Sequence, residues 1–287
     1  MCATCGCSDP AGTRITQVTA DTAAAPHLHD HGHGNGHGAG QAGTADEDTG
    51  ETRTVLLEQQ VLARNDRLAG ANREWLGTRG VLAVNLMSSP GSGKTTLLER
   101  TIRELAGRPP VSVVEGDQES LIDAQRVRGT GCAAVQINTG AGCHLDAGML
   151  GSALRELDPP PRSVVLIENV GNLVCPALFD LGEAHRVVIM SVTEGADKPL
   201  KYPHMFAAAD LVLLNKVDLL PHLDFDPGFF ESSVRRANPR AEVLRVSATG
   251  GEGIGIWCEW LRDRVTAGPG ERGPARRDSG AADGVAR

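Results

Sequence analysis

Short, mainly apolar runs recur along the middle of the chain, at Val81–Met87, Val111–Val114, Val135–Ile137, Val164–Ile167, Val187–Met190, Leu211–Leu214 and Val243–Val246. Runs of this length and composition predict short strands of a sheet covered on both faces. Helix-compatible segments lie between most of them, and that alternation predicts a parallel sheet with helices on each side. Ahead of the first run, Val55, Leu56, Val61, Leu62, Leu68, Trp75 and Leu76 recur among charged residues at roughly helical spacing, so residues 51–79 are expected to form one or two amphipathic helices packed beside the core. Residues 1–50 are poor in aromatic and branched apolar side chains and rich in Gly, Ala, Thr and His, and residues 268–287 show no apolar periodicity. Neither stretch can bury enough surface to offset chain entropy, so both are expected to be disordered tails on a single folded domain, residues 80–267.

The first predicted strand runs directly into SSPGSGKTT, Ser88 to Thr96, and a helical stretch follows. Strand, glycine-rich turn and helix are the context a phosphate-binding loop requires. Gly91 and Gly93 let backbone N–H groups turn inward, with Ser92 and Thr96 completing the loop. Lys94 reaches the terminal phosphates, and the Thr95 hydroxyl can ligate Mg²⁺. Ser88 stands where the general pattern has glycine. The fold expected is therefore the α/β, three-layer sandwich of a P-loop NTPase, with a mainly parallel sheet.

Beyond a later strand lies NKVD, Asn215 to Asp218. An ionised Asp218 can accept two hydrogen bonds, from the N1–H and exocyclic amine of guanine, which adenine does not present in that arrangement. GTP is thus expected over ATP. Asn215 can bond the base or hold neighbouring loops, the Lys216 stem can cover the ring, and in Ser247–Thr249 the Ala248 N–H is placed to meet the guanine oxygen beside Ser247. Asp117 and Glu168 end predicted strands, at the edge where open α/β sheets bind ligands. Asp117 is a candidate to hold Mg²⁺ or orient the attacking water, and Glu168 to contact Mg²⁺ through water; the alternative is that both are exposed loop acids capping the next helix. Gly171 has the placement of a switch glycine that senses the terminal phosphate.

Cysteine usage adds a metal. Cys2, Cys5 and Cys7, with the α-amine nearby, offer soft donors suited to Ni²⁺ or Zn²⁺, a square-planar arrangement favouring nickel. His27, His29, His31, His33 and His37 could store divalent ions loosely. Cys143 and His144 follow one predicted strand and Cys175 follows the Glu168 segment, so a metal on these three residues would lie close to the part that moves on hydrolysis. Three ligands per chain leave room for a partner to complete that site. Cys132 and Cys258 are expected to be buried and structural.

The 28 basic against 36 acidic residues give a net charge of −8, which offers no footprint for nucleic acid or an anionic membrane. No apolar stretch approaches the roughly 20 residues that span a bilayer, and the start MCATCGCSDP has neither a basic nor an apolar leader region, so a cytoplasmic protein with reduced thiols is expected.

Taken together, MCATCGC, SSPGSGKTTLL, EGDQES, GAGCHLDA, ENVGNLVCP, TEGADKPLKYP and NKVDLL resemble the hydrogenase nickel-incorporation GTPases of the HypB type, over roughly residues 51–266 and the extreme N-terminus. That family is similar in lacking the first loop glycine. The resemblance implies a G domain of the signal-recognition and MinD-like (SIMIBI) class that forms a GTP-promoted homodimer. It implies a high-affinity nickel site on Cys2, Cys5 and Cys7, and a weaker nickel or zinc site on Cys143, His144 and Cys175 at the dimer interface. The partners implied are a nickel-binding accessory chaperone and the hydrogenase large-subunit precursor, and Lys198 or Lys201 is implied as a nucleotide contact across the dimer. A urease-maturation GTPase would carry a Cys-Pro-His motif, which this sequence lacks; a metal buffer whose nucleotide site serves only assembly is a third reading.

Overall fold

A computed structural model of the protein describes residues 14–17, 47–117, 122–140 and 142–267. The strands β2 (Leu82–Ser88), β3 (Val111–Asp117), β4 (Ala133–Asn138), β5 (Val164–Glu168), β6 (His185–Ser191), β7 (Leu211–Asn215) and β8 (Glu242–Arg245) cover the expected apolar runs. With β1 (Arg14–Gln17) they form one eight-stranded sheet of order β1-β4-β3-β5-β2-β6-β7-β8. Every neighbouring pair is parallel except β1 with β4. The helices between strands make this possible, because parallel neighbours need a long crossover.

Side chains alternate along each strand and feed both faces. Leu82, Val84 and Leu86 of β2 pack with α2 (Lys94–Leu105) and α8 (Ile254–Ala267) through Leu97, Leu98 and Trp257. On the other face, Ala83, Val165 and Ile167 pack with Leu150 and Leu154 of α4 (Ala147–Leu157) and with Leu76 of α1 (Glu47–Thr78). Further along that face, Met87, Val188 and Leu214 meet Phe206 of α6 (Pro203–Ala207) and Phe230 of α7 (Pro227–Ala237). Two short helices remain, α3 (Ile122–Arg128) and α5 (Lys198–Lys201). This is the expected α/β sandwich.

Two expectations about the N-terminal part change. β1 lies within the stretch read as lacking structure, and it pairs with β4 through Arg14↔Asn138 to Gln17↔Val135; four residues of edge pairing leave no hydrophobic signature in the sequence. The helical segment is one helix beginning at Glu47, and its apolar residues dock unevenly: Leu76 is buried with Trp75 packed on the same core, while Val61 and Leu68 are 47% and 40% exposed. Its buried seam is Asn65, Ala69, Asn72 and Leu76. Asn72 Nδ2 donates to Ala147 O at 2.8 Å and to Leu181 O at 2.9 Å. Asn65 donates to Asp180 O at 2.7 Å and accepts from Ala147 N at 2.9 Å. Glycine allows the approach, since a Cβ on Gly182 would lie 2.4 Å from Ala69 O.

Candidate functional site

The loop after β2 and the first turn of α2 form a concave backbone at the carboxyl edge of the sheet. Gly91 and Gly93 both have positive φ, 76° and 93°. At Gly93 a side chain is also excluded by space, because a Cβ would lie 2.7 Å from Asn215 Nδ2. Lys94 Nζ donates to Ser88 Oγ at 2.9 Å, so the serine that replaces the usual glycine supplies a lysine partner. Burial lowers the Lys94 pKa, opposed by Glu168, Asp123, Asp117 and Glu115, whose charges all reach the ammonium.

Glu168 ends β5 beneath the loop and is buried, its Oε1 accepting from Thr95 Oγ1 at 2.9 Å. Burial raises its pKa, with Lys94 and the Thr95 hydrogen bond acting the other way. Its Oε2 is buried without a hydrogen-bond partner. The Thr95 hydroxyl and the orphaned Glu168 oxygen are oxygen donors of the kind Mg²⁺ selects, and Asp117 ends β3 at the same edge of the sheet. Glu168 is thus not an exposed helix cap. Glu115, not among the residues expected from sequence, lies beside it: the two are register partners across β3 and β5, and burial pushes the Glu115 carboxyl up to about 9.

The NKVD segment reaches the same loop from β7. Asn215 Nδ2 donates to Ser92 O at 3.0 Å, while its Oδ1 accepts from Ala248 N at 3.2 Å. Asn215 therefore ties the phosphate loop to the segment after β8. Lys216, at φ 63°, sends Nζ to Gly91 O at 2.7 Å, laying its stem beside the loop. The Ser247 hydroxyl donates to Asp218 Oδ1 at 2.5 Å and fixes that carboxylate. Thr96 Oγ1 accepts from Arg126 of α3 at 3.3 Å.

A thiol–imidazole cluster sits beyond Glu168. Cys143 Sγ lies 3.0 Å from Cys175 Sγ and 3.6 Å from His144 Nδ1, and one ligand atom from each residue falls within 4.8 Å of the others. The His144 ring stacks on Phe179 at 3.9 Å, and burial lowers its pKa, which favours the neutral imidazole that binds metal. Two sulfurs and a nitrogen suit a borderline ion such as Ni²⁺ or Zn²⁺. Cys132 and Cys258 stand apart from this cluster: burial pushes their thiols up to about 12 and about 11. Cys132 is half-buried, with Sγ donating to Val111 O, and Cys258, a residue of α8, faces the core.

The two sites are physically joined. Asn169, buried directly after Glu168, accepts from Leu145 N at 3.2 Å and donates to Asn85 Oδ1 at 3.2 Å, so it fastens the Cys143–His144 loop to the end of β5. Gly171 follows two residues later, and a Cβ there would lie 3.1 to 3.2 Å from Pro90 of the phosphate loop. Cys2, Cys5, Cys7 and the histidines from His27 to His37 lie outside the described residues. A groove at the opposite edge of the sheet has its charges paired, Arg73 with Asp180 and Arg186 with Glu183, and is remote from this chemistry.

Residues 82–245 match the family model described as "CobW/HypB/UreG, nucleotide-binding domain". The chain is 58% identical over 211 residues to the hydrogenase maturation factor HypB of Rhizobium leguminosarum bv. viciae, covering 74% of this chain and 71% of that one. Two crystal structures have a TM-score of 0.67. One is HypB from Archaeoglobus fulgidus, 43% identical, covering 71% of this chain and 100% of that chain. The other is HypB from Helicobacter pylori in complex with nickel, 37% identical, covering 71% and 96%. With a P-loop, an NKVD segment and a Cys–His–Cys cluster assembled on one sheet edge, the chain belongs to the CobW/HypB/UreG nucleotide-binding family and, within it, to the HypB hydrogenase maturation factors.

Proposed function

We propose that the protein is a GTPase that binds nickel as cargo and uses the GTP cycle to time its delivery to a hydrogenase large-subunit precursor. The observation that carries this reading is the link from the cluster's loop to the phosphate loop: Leu145, two residues after Cys143, donates to Asn169, and Gly171, on the segment leading to Cys175, lies close against Pro90. A change at the terminal phosphate moves the segment that bears one metal ligand, and metal binding biases the phosphate loop in return, as linkage requires.

GTP is favoured because Asp218, held by Ser247, supplies two acceptor oxygens, with the Ala248 N–H beside it. Lys94 and the loop backbone bind phosphates, and Asp117 or Glu168 orients water or ion at the terminal phosphate. Thr95, Glu168 and Asp117 would hold Mg²⁺, which when bound neutralises phosphate charge. The interior cluster takes Ni²⁺ or Zn²⁺, and Cys2, Cys5 and Cys7 form the tighter nickel site. Val174 and Leu178 flank Cys175 at 54% and 58% exposure, which supports a homodimer closing over the cluster.

The organisation follows: a metal-binding arm at 1–50, a helical segment at 51–79, the GTPase domain at 80–267 and a tail at 268–287. No helix among the described residues is long and apolar enough to cross a membrane. A cytoplasmic protein that receives nickel from an accessory chaperone is consistent with that. The test is loading of an apo-hydrogenase precursor with nickel in the presence of GTP. A Lys94→Ala variant is expected to lose loading while retaining nickel on the N-terminal cysteines. Wild-type loading by that variant overturns the delivery role and leaves a metal buffer.

A further inference from the structure

A carboxylate sits where a phosphate site should exclude one. Glu194, in the turn after β6, accepts a short hydrogen bond from the hydroxyl of Ser89, the second residue of the phosphate loop. Its other oxygen accepts from Ser191 N at 3.1 Å, and its own N–H returns to Ser191 O at 2.9 Å, so the turn holds the acid in place. The Glu194 side chain is only 14% exposed. Ser89 is buried, and the neighbouring Ser88 hydroxyl carries Lys94. A fixed negative charge this close to the loop opposes the entry of nucleotide phosphates, and partial burial keeps water from screening it.

The compensation comes from the same segment. Lys198, at the start of α5, places Nζ 3.4 Å from Glu194 Oε2, with its side chain 24% exposed. Its ammonium also lies 5.2 Å from the centre of the Tyr202 ring, a second contact that holds it. We propose that Glu194 and Lys198 form a charge-compensated clamp for nucleoside triphosphate binding: Glu194 positions the phosphate loop through Ser89, and Lys198 cancels the charge this brings beside the phosphates. The clamp rests on the nucleotide-site reading above. It gives Lys198 a task within its own chain, distinct from a contact to nucleotide across a dimer.

Four full-length proteins test it: wild type, Lys198→Ala, Glu194→Gln and the double variant. Each is titrated with a non-hydrolysable GTP analogue and with GDP in the presence of Mg²⁺, at low and at high ionic strength. Lys198→Ala leaves the Glu194 charge bare, so affinity for the triphosphate is expected to fall roughly tenfold at low salt and less at high salt. Glu194→Gln keeps the shape and one acceptor oxygen but leaves the Lys198 ammonium uncompensated, so at low salt it is expected to bind the triphosphate several-fold more tightly than wild type, and less so at high salt. The double variant, with neither charge, is expected to return to within about twofold of wild type, a rescue that misfolding of Lys198→Ala would not allow. A Lys198→Ala loss that persists in the double variant overturns the clamp and makes Lys198 a direct nucleotide contact. Unchanged affinity in Lys198→Ala also overturns it. Failure of the wild type to bind either nucleotide brings down the nucleotide-site reading instead, so the two failures are distinguishable.

Discussion

The sulfurs of Cys143 and Cys175 stand 3.0 Å apart although their loops follow β4 and β5, strands separated in the sheet by β3. Two thiolates at this distance without an ion would repel each other, so an ion that binds both is held more tightly than by either alone. In a full-length background with Cys2, Cys5 and Cys7 changed to alanine, Cys143→Ser and Cys175→Ser are each expected to weaken Zn²⁺ or Ni²⁺ binding by at least about tenfold. Chelator competition measures this. Equal affinity in either variant would place the ion elsewhere.

The guanine end gives a change of specificity. Asp218 accepts from Ser247 at 2.5 Å and leaves its remaining acceptor capacity for the base. Asp218→Asn turns part of that acceptor into a donor, so preference is expected to move from guanine to xanthine nucleotides. Ser247→Ala frees the carboxylate without removing it, and loss of one hydrogen bond to a charged group, about 1.5–3 kcal/mol, should weaken GTP binding roughly tenfold or more. Competition between GTP and XTP reads both. Retained GTP preference in Asp218→Asn removes NKVD from the base site.

Helix α1 supplies a stability test that separates its polar seam from its apolar residues. Asn72→Ala leaves the carbonyls of Ala147 and Leu181 without their shared donor in a buried contact, at a cost of about 1–3 kcal/mol. Leu68, 40% exposed, should tolerate alanine within about 0.5 kcal/mol. Thermal denaturation should therefore show Asn72→Ala melting several degrees lower and Leu68→Ala close to wild type. The reverse order would mean that α1 docks by its leucines.

The central parallel strands β2, β5, β6 and β7 were legible because they are buried on both faces and so read as mainly apolar runs. The loop from Ser88 to Thr96, the NKVD segment and the Cys143–His144–Cys175 cluster were legible as groupings because residue type and spacing carry them. Four other features were not. Asn65 and Asn72 dock α1 through backbone carbonyls, which hydrophobic periodicity does not register. Asn169 gains its role only when β5 ends beside the Leu145 loop. Glu194 reads as an ordinary turn acid until β6 lies next to β2 and brings it to Ser89. Glu115 meets Glu168 only because β3 and β5 are neighbours in register, and strand order is not written in either strand alone.

That last pair makes stability depend on pH in a defined direction. Burial, then Glu168, Asp123 and Asp117, push the Glu115 carboxyl up to about 9, with Lys94 opposing. A carboxyl raised in the folded state keeps a proton that the unfolded chain releases, so the folded state binds more protons between the two pKa values. Its stabilising effect is complete below the ordinary carboxylic range and is lost as pH rises toward about 9. Glu115→Gln has no proton to lose and keeps a neutral side chain of similar shape. Without nucleotide or metal, the variant is expected to melt near wild type at about pH 5, and several degrees above it at about pH 8.5. A melting difference that stays constant across that range would mean that Glu115 is ionised throughout. The Lys94 ammonium, and not a retained proton, would then be what offsets its charge in the fold.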